Sequence, residues 1–455
     1  MSFYKFLSKL FEIPNLIKST NLIKSSNIKN NFGVWDDIPE ELYIIGDIHG
    51  DFFALKQALE LTKCITFNNS NNLDMIKWSD ENLILEDGCK YFYNKFEWNK
   101  NKKNCIIVFS GDLIDRCRNV STTGCINTIN DEDCDYLILK FLYELDIEAI
   151  KNNSRVIVIL GNHEIMNLKN QTNYISKKGK QNNNRLKDIQ ELIIKNIDNI
   201  YGLIRINKYI IVHGGINYSY FIDNNKIWEK KLNNENLESV IMFNKILRDN
   251  ILRYDIVLAN NDDNPFWDRT LGNGNCSYIS AENILKIPNK EIINKLVIIV
   301  AHCPQFINNN VNNINSIMCN NKKIWRIDVG MSRSFDSYKL DTLYYNLDQL
   351  NKNLDSINPL DSINPLDLYE NYNSNFRKVS ILKINNNKEF PLIGKLSLEY
   401  FFENVFQKNK YLLLYYLLQD IEIYLIDINI YYIDKKYSEI INNIKKKIFS
   451  FINKK

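Results

Sequence analysis

The feature that most constrains this chain is a repeated way of ending a strand. Five short apolar runs, rich in β-branched residues, each end within two residues of a Gly, Asp, Asn or His. Leu42–Ile45 runs into Gly46 and Asp47, and Ile106–Phe109 is followed by Gly111 and Asp112. Val156–Leu160 runs into Gly161, Asn162 and His163, Tyr209–Val212 into His213, Gly214 and Gly215, and Leu296–Val300 into Ala301 and His302. Near-continuous apolar runs of this length fit strands buried on both faces. Helical spacing appears between some of them. Phe52, Leu55, Ala58 and Leu59 share one side of a helix over 52–61, and Leu137, Phe141, Leu142, Leu145 and Ala149 one side of a helix over 133–150. Strands flanked by helices, with polar residues at the strand ends, predict a layered α/β architecture. Its chemistry is expected in loops beyond the carboxyl ends of the strands.

The chain has four histidines, His49, His163, His213 and His302, and all of them sit at or just past such an end. Structural histidines scattered through a core would not gather at equivalent positions. Asp47 and His49 lie two apart, so both can face one side of the chain. Asp112, Asn162, His213 and His302 close four further strands. Two carboxylates, an amide oxygen and three imidazoles, with no thiolate, suit Mn, Fe or Zn. Six ligands are too many for one catalytic ion with an open position, whereas two divalent metal ions sharing a carboxylate accommodate them.

The words GDIHGD (46–51), GDLIDR (111–116), GNHE (161–164), HGG (213–215) and AHCPQ (301–305) resemble, in order, those of the phosphoprotein phosphatase family of calcineurin-like metallophosphoesterases. The stretch 142–168, PFWDR (265–269) and RIDVGMS (326–332) are similar to its bacterial-type, Shewanella-like branch. The resemblance spans about residues 40–385 and implies a layered β-sandwich flanked by helices, with a dinuclear metal site at strand carboxyl ends. It implies that Asp47 and His49 hold the first metal, that Asp112 bridges both, and that Asn162, His213 and His302 hold the second. His163 resembles the family's general acid, oriented by Asp115. Arg116 resembles the phosphate clamp and Arg269 a second one.

The implied activity is hydrolysis of phosphomonoesters on a phosphorylated protein or peptide, at Ser/Thr or Tyr, by hydroxide bridging two metals and attacking in line. Arginines can donate paired hydrogen bonds to phosphate, and a histidine held by a carboxylate can protonate the leaving oxygen. Two other readings share these motifs: hydrolysis of dinucleoside polyphosphates or other nucleotides, and a non-catalytic binding module on the same fold. PFWDR and RIDVGMS favour the phosphatase, and a binding module has no physical need of six intact ligands. One departure is Cys117, which follows Arg116 where the family word usually continues to glycine.

Around this domain, residues 1–39 read as an extension with a short amphipathic helix (Phe3, Phe6, Leu7, Leu10, Phe11), and 66–104 as an insertion. Residues 170–190 are polar and read as a mobile loop, and the tandem LDSINP of 354–366 as a linker. One more strand is expected over 377–384, then an accessory region over 386–455. The latter ends in a helix with a stripe of Tyr437, Ile440, Ile441, Ile444, Ile448 and Phe451. The stretch 434–455 is expected to pack on the chain or dock on a partner, with contact to a membrane surface as the sharper alternative. A net charge of +3 gives no general drive toward nucleic acid. Nine cysteines without a CxxC pair, and no transmembrane span or secretory leader, make reduced thiols in a soluble, cytoplasmic protein the expectation.

Overall fold

The computed structural model describes residues 32–67, 96–117, 133–233, 236–256, 262–276, 284–305, 313–332, 334–335, 379–394 and 439–446. The expected N-terminal helix and the 354–366 linker lie outside the described residues, as does most of the 66–104 insertion.

Two six-stranded sheets share one hydrophobic core. The first contains β2 (Glu41–Ile45), β5 (Cys105–Phe109), β6 (Arg155–Ile159) and β7 (Ile200–Tyr201), all parallel. β13 (Ser380–Asn385) pairs antiparallel with β2, and β14 (Lys388–Ile393) antiparallel with β13. The expected boundary at residue 385 falls at the turn of this hairpin. The second sheet is built on β9 (Tyr209–Val212), β10 (Val297–Val300) and β12 (Lys322–Arg326), again parallel. β8 (Leu203–Ile206) and β11 (Asn315–Cys319) join it antiparallel, and β1 (Val34–Trp35) pairs parallel with β8. A small hairpin of β3 (Ile65–Phe67) and β4 (Phe96–Trp98) closes the ends of the insertion.

Every residue of β5, β6, β9 and β10 is buried, as their unbroken apolar runs require. The first helix, α1 (Phe52–Thr62), and the second, α2 (Asp135–Lys151), match the expected apolar periodicities, and Phe141, Leu142, Leu145 and Ala149 are all buried. Register explains the common edge. Ile45 pairs with Phe109 and Phe109 with Val158, so β2, β5 and β6 end level; Val212 pairs with Val300, so β9 and β10 do too.

Two expectations are corrected. The 170–190 stretch is no loose loop: after α3 (Asn162–Leu168) it carries α4 (Lys177–Gln181) and the start of α5 (Arg185–Lys195). α5 is anchored by fully buried Ile189 and Ile193, spaced for one helix face. The thiols are not all reduced either. Cys276 and Cys319 form a disulfide with Cα atoms 5.2 Å apart, and Cys117 and Cys134 are each disulfide-bonded. Parity and sequence spacing say nothing about cysteines 43 residues apart that the fold brings together. Cys64, Cys105 and Cys303 are free and buried. Near the C-terminus, Ile440, Ile441 and Ile444 of the expected stripe are buried in this structure. Among the described residues no helix is long and apolar enough to cross a membrane.

Candidate active site

The strand ends bring the predicted ligands into one buried cluster. The backbone turns sharply there: His49, Asp112, Asp115 and His302 have φ of 47°, 51°, 67° and 64°. Side chains rarely adopt that region, and such strain gathers where surrounding structure over-determines it. Close approach of the β5 and β6 loops needs glycine on both. A Cβ on Gly111 would lie 2.5 Å from the Gly161 nitrogen, and one on Gly161 would lie 2.3 Å from Asp112 Oδ1.

Asp112 lies at the centre. His213 Nε2 is 3.3 Å from its Oδ1, while His49 Nε2 and His163 Nε2 are 3.9 and 3.8 Å from its Oδ2. His49 Nε2 also lies 3.7 Å from Asp47 Oδ2. The Asn162 amide oxygen points at His213 Nε2 and His302 Nδ1, each 2.9 Å away, and at both Asp112 oxygens, 3.1 and 3.2 Å away. So tight a ring of acceptors is repulsive unless positive charge or a donor sits among them. Turning the amide over would put its NH2 there; a cation serves the same need.

The spacing on the His213–His302 side fits a metal, and that around His49 is wider. Ligand atoms that share one ion at about 2.0–2.2 Å lie about 3–3.5 Å from each other, and His213 Nε2 is 3.2 Å from His302 Nδ1. Ring orientation agrees as well. His213 Nδ1 is 2.9 Å from the Ser110 carbonyl and His49 Nδ1 3.4 Å from that of Ile114, which leaves both Nε2 lone pairs facing the cluster. His302 Nε2 is buried with no hydrogen-bond partner, so nothing in the protein withdraws Nδ1 from that role. Two overlapping groups, His49–Asp112–His163 and Asp112–His213–His302, each place three ligand atoms within 4.8 Å of one another.

Charge matches that role at Asp112 and His302, whereas Asp112 favours a charged His213, which must give up its proton to bind an ion. Burial opposes ionisation of Asp112, but the imidazoles of His213, His163 and His49 outweigh it and hold the carboxyl well below its usual range. Burial also acts against a charged His213, yet Asp112 raises its pKa. Burial pushes His302 well below the usual imidazole range, helped by His213 and Arg269, which favours the neutral form a ligand requires.

Beside the cluster, His163 Nδ1 lies 3.0 Å from Asp115 Oδ2. Arg116 is buried, with Nη1 3.2 Å from Asp51 Oδ2 and 3.3 Å from the Ser332 hydroxyl. Arg269 differs: it is exposed, beside Cys303. The structure thus gathers Asp47, His49, Asp112, Asp115, Arg116, Asn162, His163, His213 and His302, and leaves Arg269 on the surface near the His302 loop.

Sequence reasoning missed the residues that hold these in place. The Glu164 carboxylate accepts from the backbone N–H groups of Asp112, Gly161, Leu113 and Ile114 at 2.9, 2.8, 2.8 and 3.3 Å. Burial, and then the Asp112 charge, push it up to about 7. Asp51, Ser332, Asn167 and Arg185 are the others. A carboxylate directly after Asn162 and His163 is the signal the sequence offers for Glu164.

A family model for calcineurin-like phosphoesterases matches residues 41–306. The Shewanella-like protein phosphatase 1 of Plasmodium berghei (strain Anka) is 29% identical over 186 residues. That alignment covers 39% of this chain and 39% of the relative, so the chain spans about two fifths of that relative's length. Among solved structures, the cold-active protein-tyrosine phosphatase of a psychrophilic Shewanella species is similar at 15% identity and a TM-score of 0.42, over 81% of this chain and 84% of that one. The phosphatase domain of the Legionella effector WipB is similar at 13% identity and a TM-score of 0.31, over 48% and 82%. The family model covers more than half of the 455 residues, including every strand end that carries a histidine, and the chain belongs to the calcineurin-like phosphoesterase family.

Proposed function

We propose that this chain is a metal-dependent phosphomonoester hydrolase acting on phosphorylated protein, at Ser/Thr or Tyr. The observation that carries the reading is the buried cluster in which two groups of potential metal ligands share Asp112, with the His163–Asp115 pair at its side. Asp47, His49 and Asp112 would hold one divalent ion, and Asp112, Asn162, His213 and His302 a second. Bound there, such ions supply Lewis acidity toward phosphoryl oxygen and lower the pKa of water.

The chain's own residues do the rest. Asp115 keeps the His163 ring turned so that Nε2 faces the cluster, where it can deliver a proton to the leaving oxygen. Arg116, pinned by Asp51 and Ser332, presents a guanidinium fixed in place to the phosphate. Arg269, on the surface near the His302 loop, would add a second and looser contact. Burial of the cluster strengthens each of these interactions.

The test is hydrolysis of an aryl phosphate by metal-stripped protein resupplied with Mn, Zn or Fe(II), with metal content measured in parallel. Turnover that returns with metal, and that falls at least about 10³-fold in Asp112→Asn together with loss of bound metal, is expected. Folded, metal-loaded protein without turnover on aryl phosphates, phosphopeptides or dinucleoside tetraphosphate would sink the enzyme reading. Dinucleotide preference over phosphopeptides would move the substrate class.

A further inference from the structure

Arg185 opens α5, in the segment whose polar composition suggested a loop, and its side chain is only 2% exposed. A guanidinium so fully removed from water needs several acceptors. It has them. Nη2 donates to Asp115 Oδ1 at 2.8 Å, Nη1 to Asn167 Oδ1 at 2.7 Å, and Nε to Asp135 Oδ2 at 3.1 Å. Asn167 Nδ2 donates in turn to Asp115 Oδ2 at 2.9 Å, beside His163 Nδ1 on the same oxygen. Arg185, Asp115 and Asn167 therefore form a closed ring of hydrogen bonds. Asp115, itself at a positive φ, has both carboxylate oxygens spoken for.

The arrangement is directional. His163 hangs from one Asp115 oxygen, and Arg185 grips the other, so rotation of the carboxylate would break contacts at both ends. Asp135, at the first turn of α2, and Asn167, on α3, tie Arg185 to two further elements. Ile189 and Ile193, four and eight residues on, anchor α5 in the core and hold Arg185 in register.

We propose that Arg185 is a positioning residue for proton delivery: through the ring with Asp115 and Asn167 it fixes the carboxylate that aims His163 at the leaving oxygen. The inference rests on the hydrolase reading above. Arg185 touches no substrate atom in this scheme. Its loss lets Asp115 rotate and His163 wander, and misplacement of about 1 Å is enough to cost roughly 10²-fold in a rate.

This predicts a selective defect. A general acid matters most when the leaving group is a poor one, because a stabilised phenolate departs without a proton. The experiment measures kcat and KM of wild type and variants on aryl phosphates from 2,4-dinitrophenyl to phenyl phosphate, with thermal melting and metal content recorded for each. Arg185→Lys and Arg185→Ala are the first variants. The double variant Arg185→Met/Asp135→Asn removes the buried charge together with its Asp135 partner and guards against simple unfolding.

The expected result is kcat on phenyl phosphate down about 30- to 100-fold, kcat on dinitrophenyl phosphate down less than about 3-fold, and KM little changed. Added guanidinium ion should restore part of the phenyl phosphate rate in Arg185→Ala and none in His163→Ala. A loss equal across all leaving groups, following melting temperature or metal content, would reduce Arg185 to a structural ion pair and overturn the proposal while leaving the hydrolase reading intact. A wild type inactive on the whole series would instead remove the hydrolase reading, and this proposal with it.

Discussion

On the β2–β5–β6 side of the site, the candidate ligands and their neighbours are gripped directly by buried side chains; on the β9–β10 side, backbone contacts hold the histidines and buried Gln305 braces the loop after His302. Glu164 grips the loop of Asp112; Asp115, itself held by Arg185, hydrogen-bonds His163; and Asp51 with Ser332 pins Arg116. Across the site, His213 leans on the Ser110 carbonyl just past β5, which belongs to the other sheet. The His302 backbone N–H donates to Asp47 Oδ1 at 3.5 Å, again between the sheets, and the Ala301 N–H donates to the His213 carbonyl. His302 Nε2 has no partner, and Arg269 is exposed. The first half is organised mostly by its own polar network, with Ser332 reaching in from beyond β12, and the other takes part of its order from the first. Damage to the first half should spread, and damage to the second should stay local.

The largest effect should come from Glu164→Ala. It strips the acceptor from four backbone N–H groups, each worth about 1–3 kcal/mol when left unpaired in the interior, so a loss of at least about 4 kcal/mol is expected in urea unfolding, with weaker metal binding. The lesion chosen for the second half is Asn264→Ala, whose side chain holds the Phe266 N–H at 2.8 Å in the turn that accepts from Gly214. About 1–3 kcal/mol is expected there. Equal losses in the two variants would erase the asymmetry.

Next comes the Cys276–Cys319 disulfide, which ties the segment carrying Arg269 to edge strand β11. Closing 43 residues of chain constrains the unfolded state by about 3–4 kcal/mol in the loop-entropy account. The double variant Cys276→Ser/Cys319→Ser should lower the melting temperature accordingly while metal content stays near wild type. Loss of metal in that variant would show that the second half depends on the covalent tie for its geometry.

The same asymmetry explains what could be read in the sequence. The candidate ligands that the fold gathers were legible because each sits in a short word at a strand end, where two or three neighbouring letters carry the chemistry. Their supports were not, because the contacts are remote in sequence: Arg185 meets Asp115 across 70 residues and Ser332 meets Arg116 across 216. Polar composition hid α5, although Arg185, Ile189 and Ile193 fall at four-residue spacing and could have betrayed a buried face. β14 is hard to read from sequence for a related reason: Lys388, Glu389 and Pro391 argue against a central strand, but an edge strand tolerates them. Cysteine parity pointed the wrong way because pairing is decided in space.

A smaller effect separates the two arginines. Arg116→Ala should cost about 10²-fold in kcat/KM, since a buried and pinned donor is lost. Arg269→Ala should cost about tenfold, mostly in KM, because an exposed guanidinium meets the phosphate only after ordering itself. Steady-state kinetics on one phosphopeptide checks both. A larger loss at Arg269 would mean that substrate closes the second half into a network as tight as the first.

The smallest effect tests a tie between the sheets away from the chemistry. Glu389 on β14 accepts from Trp325 Nε1 at 2.9 Å and pairs with Lys323 at 2.8 Å, both on β12. Lys323 lies opposite Val297, at the start of β10 and so at the other end from His302. Burial would raise the Glu389 pKa, but Lys323 and Trp325 outweigh it and hold it below 4.5. A depressed carboxyl pKa adds stability that is full above the unfolded value and is lost as pH falls through the folded one. Glu389→Gln should therefore cost up to about 1 kcal/mol at neutral pH, and the gap from wild type should close as the medium is acidified below about 4.5. Turnover at neutral pH should not change. Reduced turnover at constant stability would show that the far end of the sandwich sets the distance between the two halves, and that the second half's order is drawn from the packing of the sheets as well as from contacts across the site.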